Sequence, residues 1–162
     1  KSVFGDDLPI DEMYIKKDKL LFDAIRNKEV PLKPGALEFL SYLKNNNIKT
    51  ALATSAKRER LDIQLEDSPI VQYFDAIVCG DDVINSKPDP EIFLKAARKI
   101  GANPEKCIVI EDSEAGIKAA HDGKMTAFHV EDLKTPDDSI KENANMLFKN
   151  LKEIQDYLKG RI

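Results

Sequence analysis

Apolar residues at Ile10, Met13, Leu20, Leu21, Ala24 and Ile25 recur among lysines and acids at the spacing of a helix with one buried face, predicting a helix over 10–25. Residues 27–34 read as a linker. Pro34 suits the first turn of a second helix, in which Leu37, Leu40 and Leu43 stand three apart before Asn45, Asn46 and Asn47 end it. The run 48–53 follows as a buried strand. Beyond it the two periods alternate: helix 57–65, strand 76–79, helix 90–100 with Ile92, Ala96 and Ile100 on one stripe, strand 107–110, small-residue helix 114–121, strand 126–130 and helix 151–158. Strands alternating with helices imply parallel pairing through right-handed crossovers, hence an α/β fold: a three-layer, Rossmann-like parallel sheet with helices on both faces. Open sheets of this kind place chemistry outside the carboxyl ends of their strands.

Composition narrows the function classes. The 162 residues suffice for one compact domain, and 42% hydrophobic with 33% charged residues describes a chain that folds in water. Twenty-five basic against 29 acidic residues leave a formal charge of −4, which offers no general attraction to nucleic acid or to anionic lipid. No apolar run approaches the roughly 20 residues of a membrane span, and neither a membrane span nor a signal peptide is expected. Cys79 and Cys107 sit in apolar segments and read as buried strand thiols, not as a disulfide framework, so a reducing, cytoplasmic setting is expected. No internal repeat is visible, and the first residue is Lys1.

Three strand exits carry candidate chemistry. After strand 48–53 come Thr54 and Ser55, where hydroxyls and free amides at a helix start either cradle an anion or simply cap the helix. After strand 76–79 come Asp81 and Asp82, read first as solvated acids, with helix capping or an outer-shell role as alternatives, and then Ser86-Lys87-Pro88-Asp89-Pro90. The prolines restrict the backbone around Lys87, so its ammonium is either aimed at a negative group or solvated. After strand 107–110 stand Glu111 and Asp112, whose mutual repulsion is relieved by a hard cation such as Mg2+, unless Asp112 or Ser113 is only a helix cap. An anion cradle, a positive charge and a metal-binding pair at one edge are the electrostatic parts of phosphoryl transfer. His121 and His129 are isolated from any ligand set and read as surface or helix-end residues.

These residues resemble the haloacid dehalogenase superfamily, in its β-phosphoglucomutase-like branch of sugar-phosphate mutases and phosphatases. The resemblance runs from Asp11 to the C-terminus. It is carried by Pro34-Gly35, by I-K-T-A-L-A-T-S at 48–55, Y-F-D-A-I at 73–77, S-K-P-D-P at 86–90 and V-I-E-D-S-E-A-G-I at 109–117. It implies that Thr54 and Lys87 serve catalysis, that Thr54, Ser55 and Lys87 bind phosphate, and that Glu111 and Asp112 hold Mg2+. Lys16 and Lys17 fall where the helical cap of such proteins carries a substrate contact. The implied substrate is a small phosphorylated metabolite, a sugar phosphate, with no nucleic acid or membrane as partner.

The same resemblance implies an opening strand ending in Asp-x-Asp, whose first Asp attacks phosphorus. No such motif is present, and Asp6-Asp7 follows Gly5 without the intervening residue. The expectation is therefore a truncated chain: a partial helical cap over 1–30 and an α/β core over 31–162 that lacks its first strand. Such a chain is inactive alone. Its open strand edges invite a complementing N-terminal segment or self-association. The alternative is a non-catalytic phosphate-binding or regulatory α/β module, either a degenerate relative or receiver-like. Receivers place their lysine after the last strand, whereas Lys87 precedes the Glu111-Asp112 strand, and this order speaks against them.

Overall fold

The computed structural model describes residues 9–27, 29–133 and 135–162. Asp6 and Asp7 lie outside the described residues. Helix α1 (Ile10–Arg26) begins on acids Asp11 and Glu12 and ends on Arg26, charges that suit the helix dipole, yet none of its residues is buried. Helix α2 (Ala36–Asn45) starts after Gly35, whose φ of 80° is the left-handed conformation that glycine adopts without strain. It buries Phe39 and Leu43, one turn apart, while Leu37 stays exposed, so the apolar stripe is rotated from the one that the leucine spacing alone suggests.

Strand β1 (Ala51–Ala53) is half the length its apolar run predicts. The Ile48 amide bonds back to Leu43 at the end of α2, and Thr50 bonds through its amide to the Asp75 carboxylate at 2.7 Å, so these residues are committed before the ladder opens. The chain continues through α3 (Arg58–Leu65), β2 (Ala76–Val78), a 3-10 turn at Gly80–Asp82, α4 (Glu91–Lys99), β3 (Ile108–Glu111), α5 (Glu114–Asp122) and β4 (Thr126–Val130). Helix α6 (Asp138–Asn143) and strand β5 (Met146–Phe148) follow, then α7 (Leu151–Leu158). Both α6 and β5 are additions to the sequence reading. The signals were short: Asp137 caps α6 through the Ile140 amide, and β5 is a three-residue apolar run.

All pairing is parallel, as the strand–helix alternation requires, but the ladder is divided. β1 pairs with β2, and β3, β4 and β5 pair in that order. Helices cover both faces. On one, Ile92, Phe93, Ala96 and Ala97 of α4 and Ile117, Ala119 and Ala120 of α5 form a single core with Val78, Val109 and Ala127, so one helical layer spans both ladders. On the other, Phe39 and Leu43 of α2 and Ile154 and Leu158 of α7 pack with Phe128 and Phe148. Phe128, Phe148 and Tyr157 add three ring contacts at 5.2 to 5.7 Å, each worth about 0.5–1.5 kcal/mol.

His129 corrects the sequence reading. It lies in β4 and is 1% exposed, because β4 runs between β3 and β5 with a helical layer on each face, so even its polar position is enclosed. His121 is exposed at the end of α5, as expected. Cys79 is fully buried one residue beyond β2, while Cys107, just before β3, is only partly enclosed.

Candidate functional site

Glu111 closes β3 at its carboxyl end, and Lys87 stands in the segment that leads into α4. The Lys87 ammonium donates to Glu111 Oε2 at 2.7 Å and lies 4.6 Å from the centre of the Phe93 ring. Each side chain of the pair is 11% exposed, so solvent screens the attraction weakly and neither charge can lose its partner cheaply. The other Glu111 oxygen accepts from the Ser113 hydroxyl at 2.8 Å and the Ser113 amide at 3.1 Å. Ser113 Oγ in turn accepts from the Gly116 amide at 3.1 Å, which caps α5. A β-carbon at Gly116 would stand 2.2 Å from Glu111 Cγ and Cδ, so the glycine makes the room that the carboxylate occupies.

Burial pushes the Glu111 carboxyl up, but the Lys87 charge, the Lys87 hydrogen bond and those from Ser113 outweigh it and hold the group below its ordinary value. Asp112 moves the opposite way. Desolvation raises it first, and the neighbouring Glu111 and Asp132 charges raise it further. A divalent cation would relieve that crowding. Two adjacent carboxylates with water completing the shell are a donor set that Mg2+ accepts, so the residues fit the ion. Among the described residues no cluster of three or more His, Cys, Asp and Glu side chains forms a metal site on its own.

Thr54 and Ser55 stand at the exit of β1. Thr54 Oγ1 accepts from the Ala56 amide at 3.1 Å and the Thr54 amide donates to Val78 O at 3.0 Å. Ser55 is exposed, and its amide donates to no acceptor among the described residues. Helix α3 begins at Arg58, within one residue of the expected start, but its first amide is capped by Asp81, whose oxygens lie 3.1 and 3.2 Å from Arg58 N, and not by Thr54 or Ser55. Asp81 and Asp82 are thus partners of α3 and not merely solvated acids. The helix that Asp81 caps is the preceding one, α3.

The structure therefore joins Lys87 to Glu111 with Asp112 alongside. The hydrogen bonds of Thr54 run to its own loop and to β2, not to those three residues, among the described residues. Lys16 and Lys17 are exposed on α1, which packs against α3, and Lys17 pairs locally with Asp18 at 3.2 Å. A groove of about 500 Å3 between α1 and α3, lined by Ile25, Val30, Leu32, Leu65 and Ile70, contains none of the expected site residues.

The model of the haloacid dehalogenase-like hydrolase family matches residues 8–130, more than half of the chain. The chain belongs to that family. It is 47% identical over 88 residues to a phosphorylated carbohydrates phosphatase of Thermotoga maritima, covering 54% of this chain and 40% of that protein. It is 41% identical over 99 residues to the β-phosphoglucomutase of Bacillus subtilis, covering 61% of this chain and 43% of the relative. Among solved structures of the family, CbbY from Rhodobacter sphaeroides in complex with phosphate superposes with a TM-score of 0.77 at 25% identity, covering 92% of this chain and 67% of that one. The chain thus spans less than half the length of these two curated relatives.

Proposed function

We propose that the chain carries the phosphate-handling residues of a Mg2+-dependent phosphatase or phosphomutase acting on a small phosphorylated metabolite, a sugar phosphate, through an aspartyl-phosphate. The observation that carries this reading is the buried Lys87–Glu111 pair at 2.7 Å. It holds an ammonium in place at a strand exit, where a phosphoryl group gathers negative charge. The names of two relatives, a phosphorylated carbohydrates phosphatase and a β-phosphoglucomutase, support the substrate class.

In this reading the Thr54 hydroxyl and Ser55 amide hold phosphoryl oxygens. Lys87 offsets charge between phosphate and nucleophile, and Glu111 and Asp112 hold the metal. Bound Mg2+ supplies further neutralisation of the phosphoryl oxygens. An aspartate carboxylate attacks phosphorus, the bond to the leaving oxygen breaks, and that oxygen takes a proton. Glu111 is unsuited to the attack, because Lys87 and Ser113 neutralise and fix its carboxylate, while Oε2 keeps a second lone pair that a cation can use. The attacking group belongs instead to a segment that pairs with β1 and β3 along the edges that have no neighbour among the described residues, and the chain alone turns over no substrate. Residues 1–30 act as part of a cap, with Lys16 and Lys17 facing substrate, which agrees with the lack of buried residues on α1.

The test is phosphate release from a panel of sugar phosphates, with and without Mg2+, by this chain and by a longer protein that includes the attacking segment. Release is expected from the longer protein with Mg2+ only, and its K87M variant should lose it. Phosphate binding without release by the longer protein would favour the non-catalytic module instead.

A further inference from the structure

The loop that follows β1 is tied at several points to the turn that follows β2. The Gly80 amide donates to Ala56 O at 2.9 Å, and a β-carbon on Gly80 would stand 2.4 Å from Ser55 O, so only glycine allows the two loops to meet. Asp81 caps α3 at Arg58 N, while Asp82 Oδ2 accepts from the Cys79 amide at 2.8 Å and from Arg58 Nη2 at 2.9 Å. Lys95 reaches over from α4 to donate to the Asp82 carbonyl. Asp82 is half-buried and Asp81 is exposed, yet both carboxylates are engaged by donors, and none of these bonds reaches Lys87 or Glu111.

We infer that Asp81 and Asp82 are positioning residues for the Thr54–Ser55 loop: through Arg58 and Cys79 they fix where the Ser55 amide and Thr54 hydroxyl stand relative to an incoming phosphoryl group. The inference rests on the proposed role of that loop in holding phosphate. Two carboxylates beside an anion site are electrostatically adverse. Their presence is explained by geometry, since a loop held to within a fraction of an ångström presents its donors without first having to be ordered. Asp82 gains its place as a charge-assisted acceptor for two donors, and Arg58 offsets its charge.

Because both acids are negative, positioning and electrostatics predict opposite outcomes. Inorganic phosphate is titrated into the chain while the Ser55 amide is followed by 15N NMR, well below the melting temperature of every variant. Removing a negative charge by D82A should tighten phosphate binding if the residue acts through its field. If Asp82 positions the loop, D82A, which loses the bonds to both Arg58 and the Cys79 amide, weakens binding about tenfold, while D82N, which keeps an acceptor oxygen, stays within about threefold of the parent. D81A, at an exposed cap, should weaken binding in the same direction and serves if D82A does not fold. Unchanged or tighter binding by D82A and D81A overturns the inference. A parent chain whose Ser55 amide does not respond to phosphate overturns instead the reading of the loop as a phosphate site.

Discussion

Glu111 has its two oxygens committed to different neighbours, Lys87 on one side and Ser113 on the other, and Gly116 leaves it the only space it has. Substituting Gly116→Ala forces a β-carbon into that carboxylate, and we expect a loss of about 2 kcal/mol in urea unfolding. Replacing Lys87 by Met leaves Glu111 enclosed and unpaired, a loss of about 3 kcal/mol at neutral pH. The pH dependence follows from the direction of each shift. Glu111 is held below its ordinary value, so the stability it contributes is complete above about pH 4.3 and is lost as pH falls through its folded value. Asp112 is raised, so its contribution is complete below about pH 3.9 and is lost as pH rises through its folded value. Stability curves against pH should therefore show an acid limb that K87M flattens. D112N should raise stability at pH 7 by less than about 1 kcal/mol, since Asp112 is exposed enough for solvent to screen much of the repulsion from Glu111.

At the scale of the element, caps separate local from site effects. Ser113 caps α5 through Gly116 N at 3.1 Å and Asn150 caps α7 through Glu153 N at 3.0 Å. Each Ala variant should cost about 1 kcal/mol of unfolding free energy. Only S113A should also shift the acid limb upward, because only Ser113 donates to Glu111; equal pH profiles for the two variants would contradict this coupling. The regular elements were legible where a period was sustained. Strand β4 and helix α7 fall at the residues the pattern predicts, since five apolar-rich residues and an i, i+4 pair of core residues suffice to mark them. Helix α6 and strand β5 were not, because six and three residues hold too little of either period to stand out.

At the scale of the molecule, the division of the ladder between β1 and β3 matters most. β4 is hydrogen-bonded on both sides, whereas β1 and β3 each have one neighbour among the described residues. Amide exchange should accordingly be slowest in β4 and faster by several orders of magnitude in β1, whose residues are all partly exposed. Open strand edges recruit other strands. We expect the chain to self-associate with rising concentration in sedimentation velocity, and to become monomeric when the complementing segment is supplied. A chain that stays monomeric at high concentration and unfolds cooperatively has no such open edge.

The candidate residues could be placed near strand exits from the linear order alone: Thr54 follows one apolar run and Glu111 with Asp112 another, Lys87 stands in the segment after a third, and apolar runs become strands because burying them outweighs ordering them. The parallel α/β class followed from the same alternation. What the order along the chain could not contain is which charges meet. Lys87 finds Glu111 24 residues away because Ile92 and Phe93 of α4 and Val109 of β3 share one core, Asp81 caps a helix that ended before it in sequence, and His129 is buried by neighbours on both sides. Those outcomes depend on distances through space, which only packing sets.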